Sequence, residues 1–331
     1  MPTSTATAAG PQVVLRIGDE IAIAVDNLLV ARDTLPAGTT NVWATTLDSD
    51  SSIPAPNADV IHLFGLSAGR AFQQDIGPTS SGLTDLGAAT AVLQTQEYPV
   101  LVHDGEPVKV GSPVIAPDLG LAGAELPVGW SPGRFENLGY SGLLIKPVGA
   151  SGNVEIASWS PGGVPHPVTK SGRLLGVSDA GQAMWLDPSC PDGPNCALYV
   201  GDIGGVHPGG GVRAPTGARF VDSPASLGGG GYLAAAAIGR QGEPMLVLVA
   251  PWQGTAAIIN GSAGVVTSSG MFWLDGTHLI FAADNAATGG VMRLVEFDVN
   301  RGTVTPFGPP LPENAQLLTA FGSTGGVSVL P

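Results

Sequence analysis

Short apolar segments alternate with tight polar turns along most of this chain. Residues 21–25 and 28–32 flank Asp26-Asn27, two residue types that accept the positive φ of a two-residue hairpin turn. Residues 183–186 and 197–200 flank a longer turn in the same way. Apolar segments this short, bounded by turn residues, are typical of antiparallel strands. The pattern therefore predicts strands and hairpins rather than helices.

Composition favours the same all-β fold class. The 331 residues include 49 glycines and 29 prolines, which are residues of turns and loops, and only 12% of the chain is charged. Lysine and arginine together number 13, too few to cover the exposed faces of a mostly helical protein. Hydrophobic residues still make up 44%, so there is ample material for a core.

One local pattern recurs along the second half of the chain. Apolar residues, a small polar residue, a glycine and more apolar residues follow one another at four places, and a degenerate copy lies at residues 223–230. With Gly133, Gly181, Gly230, Gly276 and Gly325 as anchors, the intervals are 48, 49, 46 and 49 residues. Each interval accommodates four short strands joined by Gly, Asp and Asn turns. Such a repeat is the signature of a β-propeller blade.

The first half is less regular and leaves the number of blades open. A hairpin is predicted around Ser67-Ala-Gly69, but Gly69 lies 64 residues before Gly133. That distance is too long for one of the later blades and too short for two. We therefore predict a single propeller of four-stranded blades, with six to eight blades and seven as the central value.

The two ends of the chain are predicted to meet in one blade. Residues 12–16 are expected to pair with residues 316–319 and 327–330, which would remove the free strand edges of an open ring. Residues 1–11 are small, polar and uncharged, and we expect a flexible tail there. Residues 12–331 are then the propeller domain.

Three segments of the chain have a similar local sequence: Trp130-Ser-Pro-Gly133, residues 177–185 and residues 273–281. They resemble the repeats of a known family, the TolB-type or WD-repeat-like propellers, which typically read Trp-Ser-Pro-Asp-Gly before an apolar strand. The resemblance covers residues 125–331 well and 20–110 loosely, although no Asp precedes Gly133 and no such motif lies near Gly230. It implies a propeller of the secreted bacterial type, often with an interaction role.

Charge excludes several classes of partner. The formal net charge is −14 and no basic stripe exists, so nucleic acid and anionic membrane surfaces lack the cations they would need. The longest apolar stretches, residues 232–238 and 245–250, are far shorter than the roughly 18 residues of a membrane span. We predict neither nucleic-acid binding nor a membrane span.

Cys190 and Cys196 are separated by Pro-Asp-Gly-Pro-Asn, which is strong turn material between two predicted strands. The arrangement favours a disulfide across a hairpin loop. The alternative, half of a zinc site, lacks a second pair of ligands nearby. Because disulfides persist in oxidising compartments, we predict a secreted or cell-surface protein.

Catalytic motifs are weak. Gly65-Leu-Ser-Ala-Gly69 matches the nucleophile elbow that would make Ser67 a catalytic residue. The same local sequence recurs near residues 175–185 and 321–325 as a hairpin turn, and alternating parallel strands with long helices are missing. We therefore interpret Ser67 as a turn residue and predict no catalytic site there.

Histidines and acidic residues are scattered and suggest no cofactor or metal. A propeller channel could bring several of the five histidines together, with His62 and His278 on regular strands, but none has the spacing of metal ligands. Two acidic turns, Asp48-Ser-Asp50 and the Asp192 and Asn195 pair, offer fewer oxygens than calcium requires. The other three histidines are His103, His166 and His207.

These observations predict an exported, non-catalytic propeller that binds a protein or a small molecule at one face. The alternative is a propeller enzyme, a hydrolase, lactonase or lyase, with its site at the central channel. Convergence of several His, Asp and Glu side chains at the channel mouth would favour the enzyme.

Overall fold

A computed structural model gives the structure of most of the chain, and nearly all of its regular structure is β. Two short 3₁₀ helices, Pro251–Gln253 and Thr267–Ser269, are the exceptions within the described residues. The described residues are 11–25, 27–45, 61–76, 81–93, 100–102, 109–110, 127–135, 142–149, 152–160, 162–177, 182–190, 192–193, 195–202, 210–223, 225–227, 231–285 and 288–321.

The first sheet joins strands from the two ends of the chain. Val13, Val14 and Leu15 are fully buried because their strand lies between two neighbours. This pairing confirms the predicted closure with residues 316–319, whereas 327–330 lies outside the described residues. In hydrogen-bonded order the strands are β26 (Ala315–Phe321), β1 (Gln12–Ile17), β2 (Glu20–Val25) and β3 (Leu28–Thr34).

Two sheets follow from residue 40 to residue 110. The first has β4 (Thr40–Thr45), β5 (Ile61–Ser67), β6 (Arg70–Ile76) and β7 (Ser81–Ala88). The second has only β8 (Ala91–Leu93), β9 (Val100–Val102) and β10 (Lys109–Val110) among the described residues. The predicted hairpin at Ser67-Ala-Gly69 is the connection between β5 and β6.

Three further sheets complete the ring. One has six strands: β11 (Ser131–Phe135), β12 (Gly142–Val148), β13 (Asn153–Trp159), β14 (His166–Val177), β15 (Gln182–Leu186) and β16 (Leu198–Asp202). The next contains β17 (Ala218–Phe220), β18 (Ser226–Leu227), β19 (Leu233–Gly239), β20 (Pro244–Ala250) and β21 (Thr255–Ile258). The last contains β22 (Met271–Trp273), β23 (His278–Ala283), β24 (Arg293–Asp298) and β25 (Thr303–Phe307).

The all-β propeller is supported, but the predicted number of blades is wrong. The described residues form six hydrogen-bonded sheets, and five of them contain four or more strands. The described part of the chain thus shows five blades instead of seven, a number outside the predicted range of six to eight. The reason is partly β14, whose twelve residues pair first with β13 and then with β15. Two predicted blades therefore merge into one sheet.

Apolar side chains fill the spaces between neighbouring sheets. Ile21 and Ile23 of the first sheet pack with Leu63 and Phe72 of the second. On the opposite face of the first sheet, Leu15 packs in a cluster with residues of β23 and β24. Burying such side chains contributes about 1.5–3 kcal/mol each, so the alternation of apolar and polar positions fixes which face each sheet presents.

The disulfide is present in the loop between β15 and β16. Cys190 and Cys196 are bonded with their Cα atoms 4.6 Å apart, as their spacing predicts. Asp187 organises the start of the loop, because its Oδ1 accepts hydrogen bonds from the backbone N–H and the hydroxyl of Ser189 at 2.8 and 2.5 Å. None of the helices in the described part of the chain has the length and apolar character needed to cross a bilayer.

Candidate functional site

A histidine, an aspartate and a glutamine meet on one face of the second sheet. His62 near the start of β5 lies directly opposite Asp75 near the end of β6. His62 Nδ1 and Asp75 Oδ1 are 2.7 Å apart, and Gln73 Nε2 donates to the same Oδ1 at 2.8 Å. We call these three residues the His62 cluster. They share a face because opposed residues, and residues two apart, point to the same side of a sheet.

The position of the His62 cluster is set by the packing beside it. Phe64 lies on the same face as His62 and contacts Trp43, with ring centroids 4.5 Å apart. Phe64 also belongs to the apolar cluster that includes Val92 and Leu101 of the three-stranded sheet. The His62 cluster therefore faces the space between the second sheet and the three-stranded sheet.

Hydrogen bonding defines the chemistry of the His62 ring. An ionised carboxylate only accepts hydrogen bonds, so Nδ1 of His62 carries a proton that it donates to Asp75. The other ring nitrogen, Nε2, is then the basic one. Gln73 is only 4% exposed and holds Asp75 in place, while the side chains of His62 and Asp75 are 17% and 33% exposed. This half-buried arrangement suits a general base that must meet a substrate.

His278 lies in a similar setting but is surrounded by more charge. Its Nδ1 is 2.8 Å from Asp275 Oδ2, and its Nε2 is 3.7 Å from Asp298 Oδ2. The hydrogen bond with Asp275 raises the pKa of His278, against the opposing effect of desolvation. Desolvation raises the pKa of Asp275, but donors from Thr277 and His278 outweigh it and the pKa falls below its ordinary value. Carboxylates face both ring nitrogens of His278, and this arrangement favours the protonated form of the ring.

The remaining predicted residues do not join either group. His166 begins β14 and is exposed, while His103, His207, Asp48 and Asp50 lie outside the described residues. The convergence of histidines that a channel could allow is not seen among the described residues, where His62 and His278 lie on strands, as expected, of two different sheets. Strand β26 contacts both β4 and β22, so the first strands of neighbouring sheets meet around the ring. His62 and His278 lie on β5 and β23, the second strands of their sheets, and so one strand away from these first strands.

Metal ligation receives no support from the described residues. No group of three or more His, Cys, Asp or Glu side chains that could hold a metal ion occurs among them. Asp192 of the cysteine loop forms an ion pair with Arg219 instead. Asn195, its predicted companion, is exposed on the same loop.

Ser67 is the last residue of β5 and its hydroxyl donates to the carbonyl of Ala37 at 2.9 Å. The next two residues, Ala68 and Gly69, have φ of 49° and 74° and form the tight turn into β6. A nucleophile elbow requires a strand followed by a helix. The structure shows a strand followed by a strand.

Sequence reasoning missed the partners of the two histidines. Asp75 and Asp298 follow their histidines by 13 and 20 residues, and only the strand register brings them opposite. A local signal did exist for Asp275, since an aspartate two residues before a threonine and three before a histidine suits an Asx turn. Its Oδ1 accepts the backbone N–H groups of Thr277 and His278.

Comparisons with known proteins identify the fold. No family model and no curated protein matches this chain. A puromycin hydrolase aligns with a TM-score of 0.55 and 12% identity, over 91% of this chain and 54% of that one. An oligogalacturonate lyase in complex with manganese aligns with a TM-score of 0.54 and 10% identity, over 88% and 82%. The BP39L lectin from Burkholderia pseudomallei gives 0.54 and 14%, over 92% and 95%.

These likenesses bear on the predicted function. The propeller fold that the resemblance to TolB-type repeats implies is supported by these similar structures. The expectation of a non-catalytic module is corrected, because the similar structures include a hydrolase and a lyase, and the enzyme alternative is better supported. This chain spans little more than half the length of the puromycin hydrolase. At such low identity the likeness shows the fold, so a reaction has to be argued from the residues of this chain.

Proposed function

We propose that this protein is a propeller hydrolase in which His62 is the general base. The observation that carries the proposal is the hydrogen bond of 2.7 Å from His62 Nδ1 to Asp75, supported by the buried amide of Gln73. A carboxylate that holds one ring nitrogen as a donor orients the other nitrogen to take a proton. The site lies between two sheets, on second and third strands, rather than on the strands nearest the axis.

The reaction follows from what such a base can do. Nε2 of His62 takes a proton from a water molecule while the water oxygen attacks the electrophilic atom of the substrate. The imidazolium, stabilised by Asp75, then returns that proton to the leaving group as the bond breaks. Gln73 holds the carboxylate of Asp75 beside the ring of His62. This positioning matters because a general base must lie within hydrogen-bond reach of the proton that it takes. No metal is needed in this scheme.

The charge of the chain points to the class of substrate. At −14, the protein repels polyanions, and a polyuronate would approach against that field. Neutral or cationic substrates are therefore favoured over acidic polymers. We also assign the protein to an oxidising, extracytoplasmic compartment and to the TolB-type propellers, on the disulfide and on the repeats. Residues 12–331 are taken as one domain in this proposal.

The test uses matched histidine variants and a panel of neutral substrates. The panel comprises an activated ester, a lactone, an activated glycoside and a peptide anilide. His62→Gln should lower the rate on the accepted substrate at least 100-fold, which is the lower end for loss of a general base. Asp75→Asn should cost a comparable factor, because an amide N–H facing Nδ1 favours the wrong tautomer. His278→Gln is the control and should retain the wild-type rate.

Two results would contradict the proposal. Full activity in a folded His62→Gln variant would show that another group is the base. Cleavage of polygalacturonate by elimination, with no hydrolysis of the neutral panel, would instead identify a lyase. Circular dichroism of each variant establishes that it is folded before rates are compared.

A further inference from the structure

A cleft of about 290 Å³ opens between the first and second sheets, away from the His62 cluster. One side is formed by the end of β3 and the segment after it, and the other by β6 and β7. Its walls are both polar and apolar, and are lined by Asp33, Thr34, Leu35, Pro36, Gln74 and Leu83. Asp33 and Gln74 face each other here because each lies on the side of its sheet that packs in the Ile21 and Leu63 cluster.

Two buried acceptors in this cleft have no hydrogen-bond partner among the described residues. They are Oδ2 of Asp33 and Oε1 of Gln74. The amide orientation of Gln74 is fixed, since its Nε2 donates to the carbonyl of Thr34 at 3.2 Å. Oδ1 of Asp33 accepts the backbone N–H of Thr34 at 2.8 Å. Gln74 is 5% exposed, so water reaches its oxygen poorly, and an unpaired buried acceptor is destabilising.

The unpaired atoms indicate the chemistry of what would bind. Both are acceptors, and one belongs to a carboxylate, so the matching group is a donor that carries positive charge and accepts nothing. A primary ammonium, with three N–H donors and no acceptor, meets that requirement, whereas a hydroxyl also needs a donor for its own lone pairs. Leu35, Pro36 and Leu83 provide the apolar surface that an alkyl chain would cover. The net charge of −14 also attracts cations.

We propose that this cleft binds the ammonium group of a primary alkylamine, with Asp33 Oδ2 and Gln74 Oε1 as its acceptors. This site is separate from the hydrolytic site and concerns binding alone. The ammonium satisfies two atoms that the fold leaves unpaired, and the alkyl chain lies along the side chains of Pro36 and Leu83.

The test compares n-butylammonium with butan-1-ol, a neutral compound of similar size, by isothermal titration calorimetry and by the melting temperature. Saturable binding of the amine, with a rise in melting temperature, is expected only for the charged compound. Asp33→Asn should weaken amine binding at least tenfold, and Gln74→Met should weaken it by several fold. Glu313→Gln, which removes one exposed carboxylate elsewhere, is the matched control and should bind as the wild type does.

The outcomes separate this proposal from its rivals. Equal binding of butan-1-ol would show that the cleft recognises only an apolar chain, and binding unchanged in Asp33→Asn would place the amine elsewhere. Absence of saturable amine binding in the folded wild type would overturn the proposal. Because Gln74→Met also removes a buried unpaired oxygen, it should fold, which keeps its binding result interpretable. His62→Gln should bind the amine normally, so failure of this site and failure of the hydrolase proposal are distinguishable.

Discussion

His62 and His278 occupy the same position in two different sheets. Each lies at or next to the start of the second strand of its sheet and directly opposite an aspartate near the end of the third strand. The recurrence follows from the strand order that the two four-stranded sheets share. Their surroundings differ, because Asp275 binds the ring of His278, whereas Gln73 donates to the aspartate opposite His62. One histidine is therefore suited to structure and the other to proton transfer.

The pair of Asp275 and His278 should make stability depend on pH. The raised pKa of His278 means that its contribution is complete below 6.5 and is lost as pH rises through the folded pKa. The lowered pKa of Asp275 means that its contribution is present above 3.8 and is lost as pH falls through the folded pKa. The pair should stabilise most between these two ordinary values. Urea unfolding of the wild type and of His278→Gln from pH 3 to 9 measures this difference.

The matched control for that experiment is His166→Gln, which removes an exposed histidine from the start of β14. Its free energy of unfolding should follow the wild-type curve at every pH. A constant offset between His278→Gln and the wild type across the whole range would contradict an electrostatic role for His278.

The stability of the protein should depend on which residues of the turn between β5 and β6 are glycine. Ala68 is the one residue other than glycine with a positive φ among the described residues, at 49°. Left-handed backbone is unfavourable for alanine, so Ala68→Gly should raise the free energy of unfolding by about 0.5–1 kcal/mol. Gly69→Val should lower it by about 1–2 kcal/mol, because φ there is 74° and a branched residue is strained. Thermal and urea unfolding test both changes.

Ser67 in the same turn is predicted to be chemically inert. Ser67→Ala removes one exposed hydrogen bond to Ala37 and should change stability by less than about 1 kcal/mol. The protein should resist labelling by a fluorophosphonate probe, since water and not a serine is the attacking group in the proposed reaction. Stoichiometric labelling that disappears in Ser67→Ala would overturn this prediction.

Closure of the ring should depend on Leu15 and Leu317, which lie opposite each other in β1 and β26. They are 0% and 4% exposed and share one apolar cluster. Leu15→Ala should lower the free energy of unfolding by about 3 kcal/mol through lost burial and a residual cavity. Gln316→Ala, on the exposed side of β26, should change it by no more than about 0.5 kcal/mol. Additive effects of Leu15→Ala and Leu317→Ala would argue against their direct coupling.

The disulfide should contribute modestly to stability. Titration of the denatured, unreduced protein should find no free thiol, since both cysteines are bonded to each other. The ring is small, so replacing Cys190 and Cys196 by Ala and Ser should cost only about 2 kcal/mol of unfolding free energy. A reductant should lower the melting temperature of the wild type but not of the double variant. Two reactive thiols in the wild type would also remove the argument for an oxidising compartment.

Local features of this fold could be predicted from sequence, because their causes are local. The hairpin at residues 67–69 and the disulfide loop depend on turn residues and apolar alternation. The pairing of residues 12–16 with 316–319 is not local, and its prediction rests on the closure of a ring without free strand edges. The number of blades depends on where strands end. In β14 the chain continues through Lys170-Ser171-Gly172 without a turn, so one strand joins β13 and β15 in a single sheet.

The candidate sites were harder to predict for a different reason. Gln74 and Asp33 are 41 residues apart and belong to different sheets, and their approach depends on how one sheet is stacked on the next. The His62 cluster depends on a register set by the length of the turn between β5 and β6. One residue more in that turn would place Asp75 on the opposite face of the sheet.

Strand β14 has a consequence for how this molecule opens. Strand β14 is hydrogen-bonded to β13 at one end and to β15 at the other. The protection of backbone amides from hydrogen exchange in β11 to β13 therefore depends on that in β15 and β16, and the reverse. Subglobal opening that frees β14 would expose amides on both sides at once, so the six strands behave as a single cooperative unit. The four-stranded sheets share no such strand with their neighbours in the described chain and can open one at a time. Native-state hydrogen exchange would then give one common opening free energy for the amides of β11 to β16.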